Sequence, residues 1–171
     1  MASAVGAISG GHFNPSVTIG LWSAQKINTK NAIGYIVAQC LGAISAAFLL
    51  KGALPASVLT AVHMGTPALA GGISHKMGLV TEFILTFFLV FVIYGTAVDS
   101  RAPKCGGLFI GLAVAMGVLM GGPLTGAAMN PARHLGPALL GGGLQDLWLY
   151  WVGPVLGAVF AAQVYKTQLE K

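Results

Sequence analysis

Residues 10–18 read GGHFNPSVT and residues 129–138 read MNPARHLGPA, so an Asn–Pro pair occurs twice in similar surroundings. Asn is a favoured helix N-cap and Pro favours the first helical position, so each pair predicts the start of a helix. The apolar stretch after each pair is too short to cross a bilayer, which takes about 20 residues. A single Asn–Pro pair is typical of an ordinary turn, but two matching pairs favour two half-helices, over about 14–24 and about 130–140.

The two Asn–Pro pairs belong to a longer internal repeat. Its first block has an offset of 116 residues and matches Ser9-Gly10, Asn14-Pro15 and Gly20 with Thr125-Gly126, Asn130-Pro131 and Gly136. Its second block has an offset of 115 and matches Tyr35, Val37, Leu41, Gly42, Ala43, Ala46 and Ala47 with Tyr150, Val152, Leu156, Gly157, Ala158, Ala161 and Ala162. Chance similarity between apolar segments is the alternative, but the nearly constant offset favours a duplicated structural unit.

The composition of the chain indicates an all-α membrane protein. Of its 171 residues, 56% are hydrophobic and 8% are charged, and the mean hydropathy is +0.80. Soluble domains carry about 25% charged residues, so this chain has too little charge to cover a surface in water. Four charge-poor segments are long enough to predict membrane spans: 31–50, 77–98, 106–122 and 147–165.

These elements form one predicted domain over 1–171. Residues 1–50 are interpreted as the end of a first repeat, and 77–165 as a second repeat with three spans and a half-helix. The segment 51–76 is apolar but rich in Gly and Pro, so it is interpreted as an outer loop with a short interfacial stretch.

The distribution of basic residues predicts how the chain is oriented. If the chain crosses the membrane four times, one side receives Lys26, Lys30, Arg101, Lys104, Lys166 and Lys171, whereas the other receives Lys51 and Lys76. The positive-inside rule makes the first side cytoplasmic, with the C-terminus inside. The two half-helices then enter from opposite sides, which predicts inverted repeats and a binding or conduction site at their midplane. The cell membrane is the expected location of this multi-pass protein.

Other function classes lack support in the sequence. No nucleophile–base pair or phosphate-binding loop is present, so an enzyme is not expected, and Cys40 and Cys105 are too few and too separated for a metal cluster. The scattered basic residues form no cationic stripe, which argues against nucleic-acid binding. We therefore expect no cofactor and no metal.

The repeat also shows an imbalance before the two Asn–Pro pairs. Within the second repeat two spans, 77–98 and 106–122, precede Asn130, whereas only 13 residues precede Asn14. By the logic of the repeat, about 40 upstream residues, nearly two spans by the length rule, are expected to be absent from this chain. A non-conducting fragment is therefore one of the alternatives for this sequence.

The quoted motifs closely resemble the signature loops of the aquaporin family, the major intrinsic proteins. The resemblance extends along the chain, with TEFILT (81–86) similar to the family's fourth span and WVGP (151–154) to its sixth. It implies six spans and two re-entrant half-helices, of which four spans are visible here, and it implies homotetramers with one pore per subunit. One departure is Ser16, where the family usually has Ala.

The resemblance also implies a narrow outer filter made by Val118, Ala127 and Arg133. Strict water channels usually have His at the Val118 position, so a wider ring that passes ammonia, urea or glycerol is an alternative. Glycerol facilitators generally have Asp directly after the motif's Arg, whereas this chain has His134, which favours the water-channel branch. Water is therefore the expected main solute.

The chemistry of the motifs fits passive conduction of neutral molecules. The amides of Asn14 and Asn130 can donate hydrogen bonds to a passing water, and two positive helix ends with Arg133 nearby oppose protons and cations. A coupled transporter is the competing class, but Glu82 and Arg133 are the only ionisable residues expected at membrane depth. Resemblance implies that Glu82 braces a half-helix, with a proton relay as the alternative, and that His12 lines the inner mouth, with loop packing as the alternative.

Overall fold

The computed structural model describes residues 1–102 and 105–169, so Lys104 and Lys171 of the charge argument lie outside the described residues. The described part of the chain contains helices and loops without β-strands. The α-helices are α1 (Ala2–Ser9), α2 (Pro15–Ser23), α3 (Thr29–Ala53), α4 (Ala56–Ala61), α5 (His75–Ile93), α6 (Gly106–Thr125), α7 (Pro131–Gly141) and α8 (Leu147–Gln168). Two short 3₁₀ turns, His63–Gly65 and Leu144–Asp146, and one π-helical turn, Tyr94–Val98, complete the helical elements.

Four helices in the described part are long and apolar enough to span a membrane, as the sequence predicts. They are α3, α5 with its π-helical turn, α6, and α8 with the 3₁₀ turn before it. Segment 51–76 provides no further span. It holds α4 and a 3₁₀ turn, in which His63 and Met64 have left-handed backbone at φ 47° and 54°.

The predicted helix boundaries are close, and all four spans extend further than hydropathy alone predicts, by two residues in the case of 77–98, which begins at His75. The prediction 31–50 becomes Thr29–Ala53 because Asn28 caps the helix, its side chain accepting the Asn31 N–H at 2.8 Å. The prediction 106–122 stops too early, since α6 continues through Pro123 to Thr125 and ends at Gly126 in left-handed backbone, φ 74°. The prediction 147–165 extends to Gln168.

Each half-helix packs against a long helix of the other repeat. The first half-helix, α2, contacts α8, and the second, α7, contacts α3. Gly20 of α2 lies where an added Cβ would be 3.0 Å from the Ala158 carbonyl oxygen. Gly136 of α7 lies in the same way on the Ala43 carbonyl. Because these four residues are matched pairs of the sequence repeat, the two halves of the molecule use the same contact.

The long helices differ in how much of their surface is covered. About 44% of the apolar window of α5 and of α8 is buried, against 6% for α3 and 11% for α6. Large apolar side chains such as Leu49 and Leu119 are 74% and 80% exposed. Apolar surface of this kind requires an apolar surrounding, which agrees with an integral membrane protein.

Candidate functional site

The two half-helices meet at their N-termini through a reciprocal pair of hydrogen bonds. Asn14 Nδ2 donates to the Met129 carbonyl oxygen at 2.7 Å, and Asn130 Nδ2 donates to the Phe13 carbonyl oxygen at 2.9 Å. Each acceptor is the residue that precedes the other Asn. The sequence places both residues at helix starts, and the fold brings the two starts together.

The same Asn side chains cap their own helices. Asn14 Oδ1 accepts the Ser16 N–H at 2.9 Å, and Asn130 Oδ1 accepts the Ala132 N–H at 3.0 Å. These bonds fix the amide orientation, because only the oxygen can accept from a backbone N–H. Each Nδ2 carries two hydrogens and uses one in the crossed bond. One N–H of each Asn therefore remains available to a solute.

The crossed Asn pair borders a cavity of about 660 Å³. Six of the seven residues predicted for the site line this cavity: His12, Asn14, Val118, Ala127, Asn130 and Arg133. Most of the remaining lining is apolar or glycine, contributed by α1, α2, α5 and α6. The structure thus places residues from both halves of the sequence on one cavity with a small number of polar groups, which is the usual composition of a solute site.

Arg133 follows the second Asn–Pro pair by two residues and is oriented by a backbone carbonyl. Its Nη1 donates to the Gly65 carbonyl oxygen at 3.0 Å. Val118 of α6 also lines the cavity and is 47% exposed. Ala127 lines it as well, is 2% exposed and has left-handed backbone at φ 43°. The three predicted filter residues all line the cavity, and the Gly65 carbonyl, in the 3₁₀ turn His63–Gly65, is a contact of Arg133 that the sequence analysis missed.

Glu82 lies outside the cavity lining, behind the loop that leads into α7. It is fully buried, and its carboxylate accepts the Thr125 hydroxyl at 2.7 Å, the Ala128 N–H at 2.9 Å and the Met129 N–H at 2.7 Å. A buried carboxylate requires such donors, because loss of hydration is otherwise uncompensated. Its three partners are all in the loop before Asn130, which agrees with a bracing role.

His12 lines the cavity at the loop before the first half-helix. Its ring lies 4.8 Å from the Tyr35 ring, centroid to centroid. Its carbonyl accepts Gln39 Nε2 at 3.0 Å, and the same amide donates to Thr18 Oγ1 at 2.9 Å. The His12 side chain thus reaches the lining while its backbone is tied to α3.

Sequence reasoning missed two tyrosines that hold the loops before the half-helices. The Tyr150 hydroxyl donates to the Thr125 carbonyl at 2.7 Å, and the Tyr35 hydroxyl donates to the Ser9 carbonyl. The signal was available, because Tyr35 and Tyr150 are a matched pair of the repeat. His134, the residue after Arg133, is fully buried, and its ring is stacked on the Tyr150 ring at 4.1 Å, centroid to centroid.

The described residues thus form a helical protein with four apolar helices long enough to span a membrane, in which two Asn-capped helices meet beside a cavity. The family model for the major intrinsic proteins matches residues 1–165, so this chain belongs to the major intrinsic protein (aquaporin) family. The comparisons therefore confirm the predicted family.

Individual relatives and one solved structure are also similar to this chain. The chain is 42% identical to aquaporin-4 of Bos taurus over 168 residues, which are 97% of this chain and 51% of that protein. It is 44% identical to aquaporin TIP4-4 of Zea mays over 96% of this chain and 65% of that protein. The aquaglyceroporin of Plasmodium falciparum has a similar structure, with a TM-score of 0.78 and 25% identity over 96% of this chain and 75% of that one. The chain spans about half the length of the aquaporin-4 relatives it matches.

Proposed function

We propose that the protein is a passive transmembrane channel for water and small uncharged solutes, not an enzyme. The crossed Asn14–Asn130 pair carries this proposal, because it leaves one N–H of each side chain for a solute in an otherwise mostly apolar cavity. Two donors can orient one water oxygen at this point. A water held in this way has both lone pairs of its oxygen occupied and cannot accept a hydrogen bond from a neighbouring water, so proton transfer along the chain of waters is interrupted.

Exclusion of protons and cations is the second part of the proposal. The positive ends of α2 and α7 point at the crossed pair, and Arg133 adds a full positive charge on the same cavity. A cation at the midplane would meet all three without a matching carboxylate, since Glu82 is engaged with the loop behind the lining. A neutral solute meets a much smaller electrostatic barrier.

The inverted-repeat interpretation of 1–50 and 77–165 is also proposed here. It is supported by the reciprocal bonds of the two Asn residues and by the matching contacts of Gly20 and Gly136. With the basic residues inside, the C-terminus is cytoplasmic. We also propose a homotetramer in the cell membrane, as the family resemblance implies, with lipid around the apolar helices.

A wider solute range is the alternative within the same family. Val118 and Ala127 are small and apolar, so the space beside Arg133 offers room for glycerol, urea or ammonia. The structural neighbour described as an aquaglyceroporin favours the same alternative. The absence of Asp after Arg133 and the relatives described as aquaporins favour water.

Stopped-flow light scattering on proteoliposomes tests the proposal. We expect the chain to increase the rate of osmotic volume change above that of protein-free liposomes. Val118→Trp should lower that increase by at least about tenfold, because pore diameter limits passage. Leu119→Trp is the matched control, since Leu119 is the next residue on α6, is 80% exposed and does not line the cavity.

The outcomes separate the alternatives. Wild-type flux equal to that of empty liposomes would support a non-conducting fragment, and equal loss in the Val118 and Leu119 variants would exclude this cavity as the path. Uptake of glycerol or urea at rates comparable to water would favour the wider facilitator. Flux that requires a proton gradient would support a coupled transporter.

A further inference from the structure

The segment between α4 and α5 packs against the end of α7 and carries the carbonyl that Arg133 contacts. We call residues 62–70 of this segment the strap. Within it, the Thr66 N–H donates to the His63 carbonyl oxygen at 3.0 Å. The Gly65 carbonyl oxygen accepts Arg133 Nη1 at 3.0 Å. The strap therefore presents a backbone acceptor to a side chain near the start of α7.

Three consecutive residues of the strap have left-handed backbone. The φ angles are 47° at His63, 54° at Met64 and 72° at Gly65. Left-handed backbone is unfavourable for the two residues that carry side chains, and such strain persists only where the surrounding structure determines the conformation. The shape of the strap, and with it the direction of the Gly65 carbonyl, must therefore be held by contacts outside the strap.

Glycines near the end of α7 supply such contacts. A Cβ added at Gly141, the last residue of α7, would lie 2.9 Å from the Met64 Cβ and 3.0 Å from the His63 carbonyl oxygen. A Cβ added at Gly143 would lie 2.9 Å from Thr66 Cγ2. Gly141 does not have left-handed backbone, so the close approach of the strap is what leaves no room for a side chain there.

The Arg133 guanidinium depends on the strap for its position. Among the described residues, the Gly65 carbonyl is its one hydrogen-bond acceptor. Arg133 lines the cavity together with Val118 and Ala127. An arginine side chain has many rotamers, so without a fixed acceptor its guanidinium moves into the space that these residues border.

We propose that Gly141 is a positioning residue for the filter. It seats the strap against the end of α7, so that the Gly65 carbonyl holds the Arg133 side chain at the wall of the cavity. The inference rests on the proposed channel function and adds a specificity-determining residue that does not itself line the cavity. The two ends of α7 are coupled in this way, because the strap packs on the last residue of the helix and bonds to the third.

Chemical modification of arginine tests the positioning without requiring conduction. Phenylglyoxal reacts with guanidinium groups, and the chain has two arginines, Arg101 and Arg133, which mass spectrometry of peptides distinguishes. In detergent micelles, Gly141→Ala should raise the modification rate of Arg133 at least about threefold, because the guanidinium loses a hydrogen bond that competes with the reagent. The rate at Arg101, which follows the other end of α5, should not change.

Two further variants separate displacement of the strap from damage to α7. Met64→Gly leaves α7 intact but removes the side chain that packs on Gly141, and it should also raise the Arg133 rate. Gly71→Ala is the matched control and should react like the wild type, because Gly71 follows the strap directly and a Cβ added there meets nothing within 4 Å. A wild-type rate of Arg133 modification in Gly141→Ala or in Met64→Gly would overturn the proposal.

Water flux into proteoliposomes tests whether the displaced Arg133 narrows the path. Stopped-flow light scattering should show a flux at least about threefold lower in Gly141→Ala than in the wild type, since pore diameter limits passage. The same substitution in the Arg133→Ala background should change the flux little, because no guanidinium is left to move. A loss by the same factor in both backgrounds would contradict the positioning role, since Gly141 would then act through folding alone.

The two measurements distinguish the channel from the positioning of Arg133. Wild-type flux equal to that of empty liposomes would contradict the channel, whereas faster modification of Arg133 in Gly141→Ala and in Met64→Gly would still support the role of Gly141. Wild-type flux above that of empty liposomes, with unchanged Arg133 modification in both variants, would contradict the positioning role alone.

Discussion

The loops that lead into the two half-helices occupy matched positions of the repeat but differ in backbone strain. The first loop, residues 9–13, adopts left-handed backbone at Gly10 and Gly11, where φ is 79° and 66°. The second loop, residues 125–129, has Gly126 at φ 74° but also Ala127 at 43° and Met129 at 49°. Left-handed backbone costs an L-residue about 1–2 kcal/mol, whereas glycine adopts it freely. The second loop is therefore the more strained of the two.

The two loops also differ in what holds them. Glu82 accepts three hydrogen bonds from the second loop, two of them from backbone N–H groups. The first loop is held at its carbonyls, by Tyr35 and Gln39, and no described carboxylate accepts from its N–H groups. The comparison teaches that one motif can be built with flexible residues or with a charged brace. A strained loop persists only where its surroundings determine its conformation.

Removing the brace should have the largest effect on this comparison. Glu82→Gln keeps one acceptor oxygen but turns an NH₂ group toward a loop donor, so hydrogen bonds to a charged group are lost and a buried N–H is left unsatisfied. We expect a loss of about 3 kcal/mol in unfolding free energy. It should be visible as a lower thermal midpoint in detergent.

Thr86→Val is the matched control for the brace. Thr86 is one turn further along α5 and fully buried, and its hydroxyl has no hydrogen-bond partner among the described residues. Its replacement should change the midpoint little. Equal destabilisation by the two variants would show that burial on α5, and not support of the loop, accounts for the effect.

The long helices of the two halves should respond unequally to one added methyl group. Gly157→Ala places a Cβ against the Phe83 carbonyl oxygen and 3.0 Å from the Phe87 nitrogen, so overpacking should cost about 2 kcal/mol. Gly42→Ala, at the matched position of α3, meets nothing within 4 Å. It should be neutral or slightly stabilising by helix propensity. Circular dichroism during heating measures both, and equal losses would contradict the described packing.

The two half-helices should differ less from each other in how much stability an added methyl group costs. Gly136→Ala and Gly20→Ala each place a Cβ against a carbonyl oxygen of the other repeat, at 3.0 Å for Gly20 and closer for Gly136. We expect the Gly136 variant to lose about 1–2 kcal/mol and the Gly20 variant less. Comparison of their unfolding midpoints checks the order, and a larger loss at Gly20 would reverse the comparison.

The smallest effect is expected at the two tyrosines. Tyr150→Phe removes the hydrogen bond to the Thr125 carbonyl inside a fully buried environment, which should cost about 1 kcal/mol. Tyr35→Phe removes the matched bond to Ser9, whose surroundings are exposed and allow water to replace the donor. The loss of unfolding free energy should therefore be smaller for Tyr35→Phe than for Tyr150→Phe. Unfolding curves for both variants and for the double variant would show whether the two losses are independent.

Much of the fold was predictable because lipid-facing segments and helix caps leave strong local signals. The four spanning helices, the non-spanning 51–76 segment and the two half-helices follow from hydropathy, Asn–Pro pairs and the repeat. The errors lie at helix ends, as at Thr125, where Pro123 is tolerated near the end of α6. The roles of Val118 and Ala127 rest on family resemblance, since neither residue has a local signal of its own.

The sequence by itself determined the class of protein, the starts of both half-helices and their relation as copies. These properties depend on residues close together in the chain or on composition. The tertiary structure alone decided that Asn14 and Asn130 bond to the residues before each other, that the Gly65 carbonyl accepts from Arg133, and that Ala128 and Met129 supply the backbone N–H groups bonded to Glu82, whose bracing role the family resemblance already implied. Each of these contacts joins residues more than 40 positions apart, and a backbone carbonyl or N–H is the partner. Every residue carries a backbone carbonyl and every residue except proline an N–H, so the sequence does not show which backbone group will be the partner of a given side chain.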